Sequence, residues 1–128
     1  MTDSPPMTDD VFARYQQAWS EGDIEAIVSM MTPDGVYEAS MGPEEWGARY
    51  VGHDEIRAAL HAMGIGTSRT GGHVYGERVL VGDRGFSEWT SQTTGPDGEP
   101  FTIYGADVYE FRDGLVSKKI AYRKHVVR

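Results

Sequence analysis

The stretch from Phe101 to Arg123 constrains the fold more than any other part of the chain, because it predicts a β-hairpin. Asp113-Gly114 separates two runs in which apolar and polar residues alternate. Both central positions of a type I′ turn need a positive φ angle, which Asp and Gly adopt readily. A two-residue turn then sets the strand register, and cross-strand partners point to the same side of the sheet.

In this register the apolar side of the hairpin holds a single acid, Asp107. Asp107 faces Ile120, and the other expected pairs are Phe111 with Val116, Tyr109 with Lys118 and Gly105 with Tyr122. The opposite side receives Glu110, Ser117, Lys119 and Arg123. Burying an unpaired carboxyl group is costly, so Asp107 is expected either to serve a pocket or to pair with Lys118 or Lys119 as a structural residue.

The length of 128 residues predicts one domain that buries roughly two thirds of the surface of its unfolded chain. Residues 1–7, with Pro5-Pro6, are expected to form a disordered lead, and residues 8–128 a single domain. No apolar run approaches the roughly 18 residues of a membrane span, and the N-terminus lacks the pattern of a signal peptide. These features predict a cytoplasmic protein that does not enter membranes.

The charge balance argues against nucleic-acid and anionic-membrane partners. The chain has 12 basic and 20 acidic residues, giving a net charge of −8, whereas phosphate binding needs concentrated positive charge. The absence of cysteine excludes disulfides and thiol chemistry. No histidine and carboxylate cluster has a metal spacing, and no glycine run forms a phosphate-binding loop, so we expect neither a metal nor another cofactor.

Three helices are predicted in the first half of the chain. Apolar residues recur at helical spacing over residues 10–20, with Thr8 or Asp9 as the cap and Gly22 as the stop. Asp23 caps a second helix, and a third runs over residues 53–63. Val36 to Ser40 is a short strand candidate, and the following loop, with Trp46 and Tyr50, is a candidate lid.

From residue 71 onward the pattern is that of strands. Residues 73–81, 86–94, 101–112 and 115–124 alternate in polarity and are separated by glycine-containing turns. Helices followed by antiparallel strands predict the α+β class, with the helices packed on one face of a curved sheet.

The element order and three local motifs resemble the nuclear transport factor 2-like superfamily, and its SnoaL-like and ketosteroid-isomerase-like members in particular. The motifs are Tyr-x3-Trp-x2-Gly-Asp from Tyr15 to Asp23, Gly52-x-Asp54-x-Ile56, and the closing GADVYEFRDGLVSKKIAY. The resemblance covers roughly residues 8–124. It implies a cone-shaped α+β barrel, with three N-terminal helices on a mainly antiparallel sheet that encloses a pocket.

The resemblance also implies catalytic roles. Ketosteroid isomerases of this superfamily hold an enolate with a tyrosine from the first helix and a protonated aspartic acid from a late strand, and these positions fall on Tyr15 and Asp107. A neutral acid of this kind is kept protonated by an apolar site; ketosteroid isomerase is the standard example. The family's base does not carry over, since Ala39 stands at its position and Glu38 lies one residue earlier, on the opposite face of a regular strand.

His73 is a further candidate, because a histidine from this sheet transfers protons in related dehydratases and an unperturbed imidazole suits that task near neutral pH. Four-residue loops between the strands place it on one side with Glu88 and Asp107. A strand-end histidine in solvent, and a Tyr15 that only fills the core, are the structural alternatives. The predicted substrate-binding residues are Trp46, Tyr50, Glu88, Phe101, Ile103, Tyr109, Ile120 and Tyr122.

Two functions remain open on the sequence. The first is a cofactor-free enzyme that moves protons on an apolar carbonyl compound such as a polyketide or steroid, as an isomerase, dehydratase or cyclase. The second is a non-catalytic protein of the same fold that binds a hydrophobic ligand or acts as a dimeric accessory domain. The resemblance implies a homodimer joined through the outer sheet face, which would include Trp89, Tyr104, Val108 and Arg123.

Overall fold

A computed structural model of the chain describes residues 5–67 and 72–127. The helices are α1 (Asp9–Glu21), α2 (Ile24–Ser29) and α3 (His53–Ala62). The strands are β1 (Met31–Glu44), β2 (Gly47–Val51), β3 (His73–Tyr75), β4 (Val79–Val81), β5 (Arg84–Thr94), β6 (Pro100–Arg112) and β7 (Leu115–Arg123). The predicted α+β class is confirmed, and the helices pack on a curved sheet whose described edges do not join.

The helices begin and end where the sequence places their caps. The Thr8 side chain accepts a hydrogen bond from the Val11 N–H at 3.2 Å and starts α1. Gly22 ends the helix with a φ of 70°, in the left-handed region that favours glycine. Asp23 caps α2 by accepting the N–H of Ala26. None of the helices in the described parts of the chain is long and apolar enough to cross a bilayer.

The strands form one sheet in the order β2-β1-β7-β6-β5-β3, with β4 also paired to β5. Strands β1 and β7 run parallel, and the other pairs are antiparallel. The inner face of the sheet contacts the helices, and one apolar cluster fills the space between them. The members of this cluster include Phe12, Tyr15, Trp19, Ile27, Tyr37, Ile56, Leu60, Tyr109, Phe111 and Val116.

The segment that was expected to be a short strand and a lid is a long hairpin. Strand β1 extends to Glu44, and a tight turn at 45–46 leads into β2. Its glycines allow close backbone approach, since a Cβ on Gly47 would lie 2.1 Å from the Ala39 carbonyl oxygen. Trp46 therefore sits in the exposed turn and Tyr50 in β2, so the lid prediction is wrong.

A β-bulge changes the register of the closing hairpin. The turn at Asp113-Gly114 and the pairing of Phe111 with Val116 are as predicted, but the next pair is Glu110 with Lys118, which leaves Ser117 as an extra residue. Asp107 consequently pairs with Ala121 instead of Ile120, and the partner of Tyr109 is Lys119. The predicted register is wrong beyond the bulge, and Lys119 points to the inner face.

The register of β5 also differs from the prediction by one residue. Val81 pairs with Arg84 across a two-residue turn, and Thr94 pairs with Pro100 across a loop at 95–99, whereas four-residue loops were expected. Trp89 therefore pairs with Gly105 on the inner face and is buried. The prediction that Trp89 lies on the outer face is therefore wrong. The prediction that Glu88 points inward is also wrong, because Glu88 is exposed.

The start of the described chain is packed against the domain. Met7 is 6% exposed and belongs to the core cluster. Pro5 lies beside the hairpin turn, where a Cβ on Gly114 would meet its Cγ at 3.5 Å. These contacts differ from the predicted disordered lead for residues 5–7, while residues 1–4 lie outside the described part of the chain.

Candidate active site

The carboxyl group of Asp107 lies inside the fold, between the sheet and α1. Asp107 is 1% exposed. The indole N–H of Trp89 donates a hydrogen bond to Oδ1 at 3.0 Å, and the Tyr109 hydroxyl donates to Oδ2 at 3.0 Å. Gln16 on α1 donates in turn to the Tyr109 oxygen at 3.4 Å. Each Asp107 oxygen thus accepts a hydrogen bond from a side chain that is itself buried.

Lys119 completes the surroundings of Asp107. Its Nζ lies 3.6 Å from Asp107 Oδ2, and the two side chains are 2% and 0% exposed. The same nitrogen lies 3.5 Å from the centroid of the Trp19 ring and 5.0 Å from that of Tyr37. Ring faces attract cations, so these contacts stabilise the ammonium form. Burial lowers the pKa of Lys119, and the neighbouring carboxylate opposes that shift.

Tyr15 approaches the same cluster from α1. Its ring meets that of Tyr109 edge to face, with centroids 6.1 Å apart, and the residue is fully buried. Its hydroxyl donates to the sulfur of Met31 at 3.6 Å, which is a weak acceptor. Burial raises the pKa of Tyr15, and also those of Tyr37, Tyr75 and Tyr109. These hydroxyl groups therefore stay protonated near neutral pH.

His73, at the start of β3, lies at the entrance to this cluster. Its ring centroid is 4.4 Å from that of Trp89 and 6.0 Å from that of Trp19. Burial lowers the pKa of His73 to about 3, and the positive charge of Lys119 adds to the effect. This ring is therefore neutral throughout the physiological range, unlike the unperturbed imidazole that suits proton transfer near neutral pH.

A small recess opens beside His73. It has a volume of about 160 Å³ and is lined by the ends of α1 and β3 and by the turn after α3, including Trp19, Ser20, Gly22, Ile65 and Thr67. The Ser20 hydroxyl donates to the backbone carbonyl of His73 at 2.7 Å and fixes this wall. Trp19 lines the recess, and its ring also contacts the ammonium group of Lys119, so the recess adjoins the residues around the ion pair.

Two buried hydrogen-bond donors in the cluster lack an acceptor of normal geometry within the described residues. They are Nε1 of Trp19 and the hydroxyl group of Tyr75. The Trp19 nitrogen lies close enough to the Tyr15 oxygen to lower that group's pKa slightly, and Tyr109 does the same for Tyr75. Each of these donors therefore has a neighbouring hydroxyl oxygen, at a geometry poorer than that of a normal hydrogen bond.

Glu38, the other candidate base, does not reach this cluster. It lies on the opposite face of β1 from Tyr37 and Ala39, where the side chain of Arg49 binds it at 2.6 Å and Lys118 lies 3.9 Å away. Ala39, at the position of the family's base, is buried on the inner face next to Ala48. The structure therefore brings Tyr15, His73 and Asp107 into one cluster and leaves Glu38 outside it.

The predicted substrate-binding residues divide between the two faces of the sheet. Phe101, Ile103 and Tyr109 share the face of Asp107, because they are separated from it by even numbers of residues along β6. Ile120 and Tyr122 point the other way as a result of the bulge, so their prediction as neighbours of Asp107 is wrong. Of the remaining three, Glu88 is exposed on the outer face and Trp46 lies at the hairpin turn. The ring of Tyr50 stacks on that of Tyr37.

Lys119 and Trp89 are the functional candidates that the sequence placed on the wrong face. The hydrophobic pattern of β7 favours Ile120 and Tyr122 as inward residues over Ala121 and Arg123, and no local signal marks the bulge at Ser117. For Trp89, Gly105 is the available signal. A Cβ there would lie 2.2 Å from the Trp89 ring, so a residue without a side chain must stand opposite the indole.

The outer face carries a separate and larger groove. It has a volume of about 630 Å³ and is bordered by the exposed side chains of Val74, Tyr104 and Tyr122, with Glu88, Arg123 and Lys124 among its polar residues. Tyr104 and Val108 lie on the predicted dimer face. Arg123 lines the groove but pairs with Gly105, on the face of Asp107, so its predicted place on the outer face is wrong. In the described ranges, no group of three or more histidine, aspartate or glutamate side chains is placed to hold a metal ion.

Most of the chain matches a known protein family. The family model of the SnoaL-like domain matches residues 12–119, which is most of the chain. The chain belongs to the SnoaL-like family. This confirms the resemblance to the nuclear transport factor 2-like superfamily, and the helices and curved sheet fit the cone-shaped α+β fold of that group. Comparison with the curated proteins gave no match.

Solved structures of the same fold share little sequence with this SnoaL-like protein. An NTF2-like protein of unknown function from Mesorhizobium loti is 21% identical, with a TM-score of 0.73 over 91% of this chain and 89% of its own. TerC, crystallised with polyporic acid, is 23% identical, with a TM-score of 0.70 and coverage of 90% and 89%. A candidate polyketide cyclase from Xanthomonas campestris pv. campestris is 19% identical, with a TM-score of 0.68 and coverage of 90% and 88%.

Proposed function

We propose that this SnoaL-like protein is an enzyme that transfers a proton on an apolar carbonyl compound without a cofactor. The observation that carries the proposal is the carboxyl group of Asp107, which is held inside an aromatic interior by Trp89, Tyr109 and Lys119. Buried acids with specific charge partners concentrate at functional sites. The likeness to TerC and to a candidate polyketide cyclase supports a polyketide-like substrate.

The proposed chemistry begins with removal of a proton from the carbon next to the carbonyl group. The proton passes to Asp107, and the electron pair of the C–H bond moves to give an enolate. The proton then returns to another carbon in an isomerase, or to a leaving hydroxyl group in a dehydratase. In a cyclase the enolate carbon attacks a second carbonyl group, and the proton passes from Asp107 to the alkoxide oxygen that this attack forms. General base catalysis of this kind contributes about 10²–10⁴-fold to the rate.

Tyr15 is the proposed donor to the enolate oxygen. Its hydroxyl stays protonated because burial raises its pKa, and its present acceptor is only the Met31 sulfur at 3.6 Å. A substrate oxygen is a better acceptor than a thioether and would take this hydrogen bond. The Trp19 N–H, which lies beside the Tyr15 oxygen, supplies a second donor. His73, neutral at the entrance, is proposed to orient the substrate instead of removing its proton.

Phe101, Ile103 and Tyr109 are the proposed substrate contacts from β6, and Tyr50 is proposed to bind through its stack on Tyr37. Their side chains give the substrate an apolar surface on the same face as Asp107. A compound with an aromatic or alicyclic body and at least one ketone group matches this combination of apolar wall and hydrogen-bond donors.

A second candidate function, binding or assembly without catalysis, is favoured by the groove on the outer face. Tyr104 and Tyr122 are 56% and 58% exposed there, which is unusual for large aromatic side chains outside an interface. A homodimer joined through this face is the expected assembly. Sedimentation velocity of the protein and of a Tyr104→Lys/Tyr122→Lys variant tests it, and a monomeric native protein would contradict this second proposal.

Exchange of α-protons for deuterium, followed by NMR in D₂O with a panel of cyclic ketones and β-diketones, tests the enzymatic proposal. We expect Asp107→Asn to slow exchange by about 10²-fold or more, and Tyr15→Phe by about 10²–10³-fold. Tyr104→Phe, on the exposed outer face, is the matched control and should change nothing. Circular dichroism checks that each variant folds.

Binding of phenols such as equilenin, which mimic an enolate, provides a second readout. Tyr15→Phe should weaken binding because it removes the donor to the phenolate oxygen. Unchanged affinity in this variant, or exchange that no panel compound undergoes above the buffer rate, would refute the enzymatic proposal.

A further inference from the structure

Lys119 is a lysine in an environment that stability alone does not explain. Its side chain is 2% exposed and reaches the interior only because the bulge at Ser117 turns it inward. Taking an ammonium ion out of water costs several kcal/mol, and replacing a buried ion pair by apolar side chains is often neutral or stabilising. We therefore looked to the neighbouring acid, Asp107, for the function of the Lys119 ammonium group.

The contacts around the pair fit the ionised form of both groups. Trp89 and Tyr109 each direct a donor at Asp107, one to each oxygen, and Lys119 approaches the second oxygen. A carboxylate accepts all three interactions, whereas a protonated acid loses an acceptor site. The rings of Trp19 and Tyr37 meet the ammonium group on its other sides.

We propose that Lys119 is a positioning residue that keeps Asp107 ionised, so that Asp107 accepts the proton in the proposed reaction. This inference rests on the proposed function and deepens it. It reverses the role that the family resemblance implies for this position, where a neutral acid donates a hydrogen bond to the enolate. It also accounts for Ala39, since a chain whose late-strand acid is the base has no need of a carboxyl group on β1.

The other titratable groups that face the pair are uncharged near neutral pH. Burial raises the pKa of each tyrosine around it and lowers that of the histidine to about 3. Among the residues that the structure describes, Lys119 is the cation that lies within 4 Å of the Asp107 carboxyl group. The uncharged groups are Tyr15 on α1, Tyr37 on β1, His73 and Tyr75 on β3, and Tyr109 on β6.

Replacing Lys119 by methionine removes the charge and keeps a similar length, and Lys118→Met is the matched control. Lys118 is the preceding residue, but its ammonium group lies on the other face, 3.9 Å from Glu38. A neighbouring opposite charge favours the ionised form of a carboxyl group. The pH–rate profile for α-proton exchange should therefore change in Lys119→Met and match that of the native protein in Lys118→Met.

A second test is ¹³C NMR of the Asp107 side-chain carboxyl carbon, whose resonance reports directly whether the group is ionised. We expect the resonance position of a carboxylate in the native protein, and a resonance displaced towards that of a carboxylic acid in Lys119→Met. The native spectrum needs no variant, so it decides the matter even where Lys119→Met does not fold. A protonated Asp107 at pH 7 in the native protein would overturn the inference.

The direction of the activity change separates the two roles of the acid. If Asp107 is the base, Lys119→Met should exchange α-protons more slowly than the native protein at neutral pH. If Asp107 is instead a neutral donor, Lys119→Met should exchange faster and bind phenols more tightly, and that result would overturn the inference. Native protein that exchanges no substrate proton refutes the proposed function and the base role with it, while the carbon resonance still reports whether Lys119 sets the charge.

Discussion

Gly105 lies directly behind the indole ring of Trp89, and replacing it by alanine tests whether this ring positions Asp107. The new Cβ would lie 2.2, 2.5 and 2.6 Å from three atoms of the ring. Carbon atoms in contact are about 3.5 Å apart or more, so the ring must move by roughly 1.3 Å. Gly105 has no positive φ angle, so the cost comes from this collision and not from the backbone.

The expected loss of stability follows from two effects of that movement. Forcing a methyl group into a packed interior costs about 1–3 kcal/mol. The displaced ring also loses its 3.0 Å hydrogen bond to Asp107, and hydrogen bonds to charged groups contribute about 1.5–3 kcal/mol. The two effects overlap because they share one displacement, so we expect Gly105→Ala to lower the free energy of unfolding by roughly 2–4 kcal/mol.

Urea unfolding followed by far-UV circular dichroism measures this loss, and the indole N–H resonance of Trp89 reports its hydrogen bond. Gly76→Ala is the matched control, because a Cβ there meets only the Glu88 carbonyl oxygen, at an ordinary 3.5 Å. Its effect should stay within about 0.5 kcal/mol. If Gly105→Ala is as stable as Gly76→Ala and the Trp89 resonance does not move, the indole does not hold Asp107 in place.

Two further predictions concern charge. Because the pKa of His73 falls from 6.5 to about 3 on folding, the unfolded chain binds the extra proton between these values. Stability should therefore decrease as the pH falls through that window, by up to about 1.4 kcal/mol per pH unit, and urea titrations of His73→Phe should show a flatter dependence. Arg49→Leu leaves Glu38 buried without its 2.6 Å partner and should cost about 1–3 kcal/mol. In a Glu38→Gln background the same replacement should cost less than half as much, and an equal cost would indicate packing, not charge.

The local features of the fold were predictable because their causes lie in neighbouring residues. Thr8, Gly22 and Asp23 set the ends of the first two helices by hydrogen bonds and a left-handed turn that need no distant partner. The turn at Asp113-Gly114 follows from the same kind of local rule. The burial of Asp107 on the helix side also followed, since both the predicted and the observed register place it on the inner face.

The contents of the site were harder to predict, because they depend on single-residue changes of register. One extra residue at Ser117 turns Lys119 inward and Tyr122 outward, and the loop at 95–99 does the same for Trp89 and Glu88. A strand has a period of two, so each such change reverses every side chain beyond it. The sequence therefore predicted the position of Asp107, but it did not predict that Lys119 and Trp89 lie beside it.

The parallel pairing of β1 with β7 has a consequence for how the protein folds. Val36 and Lys118 are partners although roughly 80 residues separate them, whereas β5, β6 and β7 join through short connections. Closing the longer loop costs more entropy, so we expect the three-stranded meander to form first and β1 to join it late. Tyr37 pairs with Lys119 in that final step, so the ammonium group remains in water until the rest of the domain has assembled.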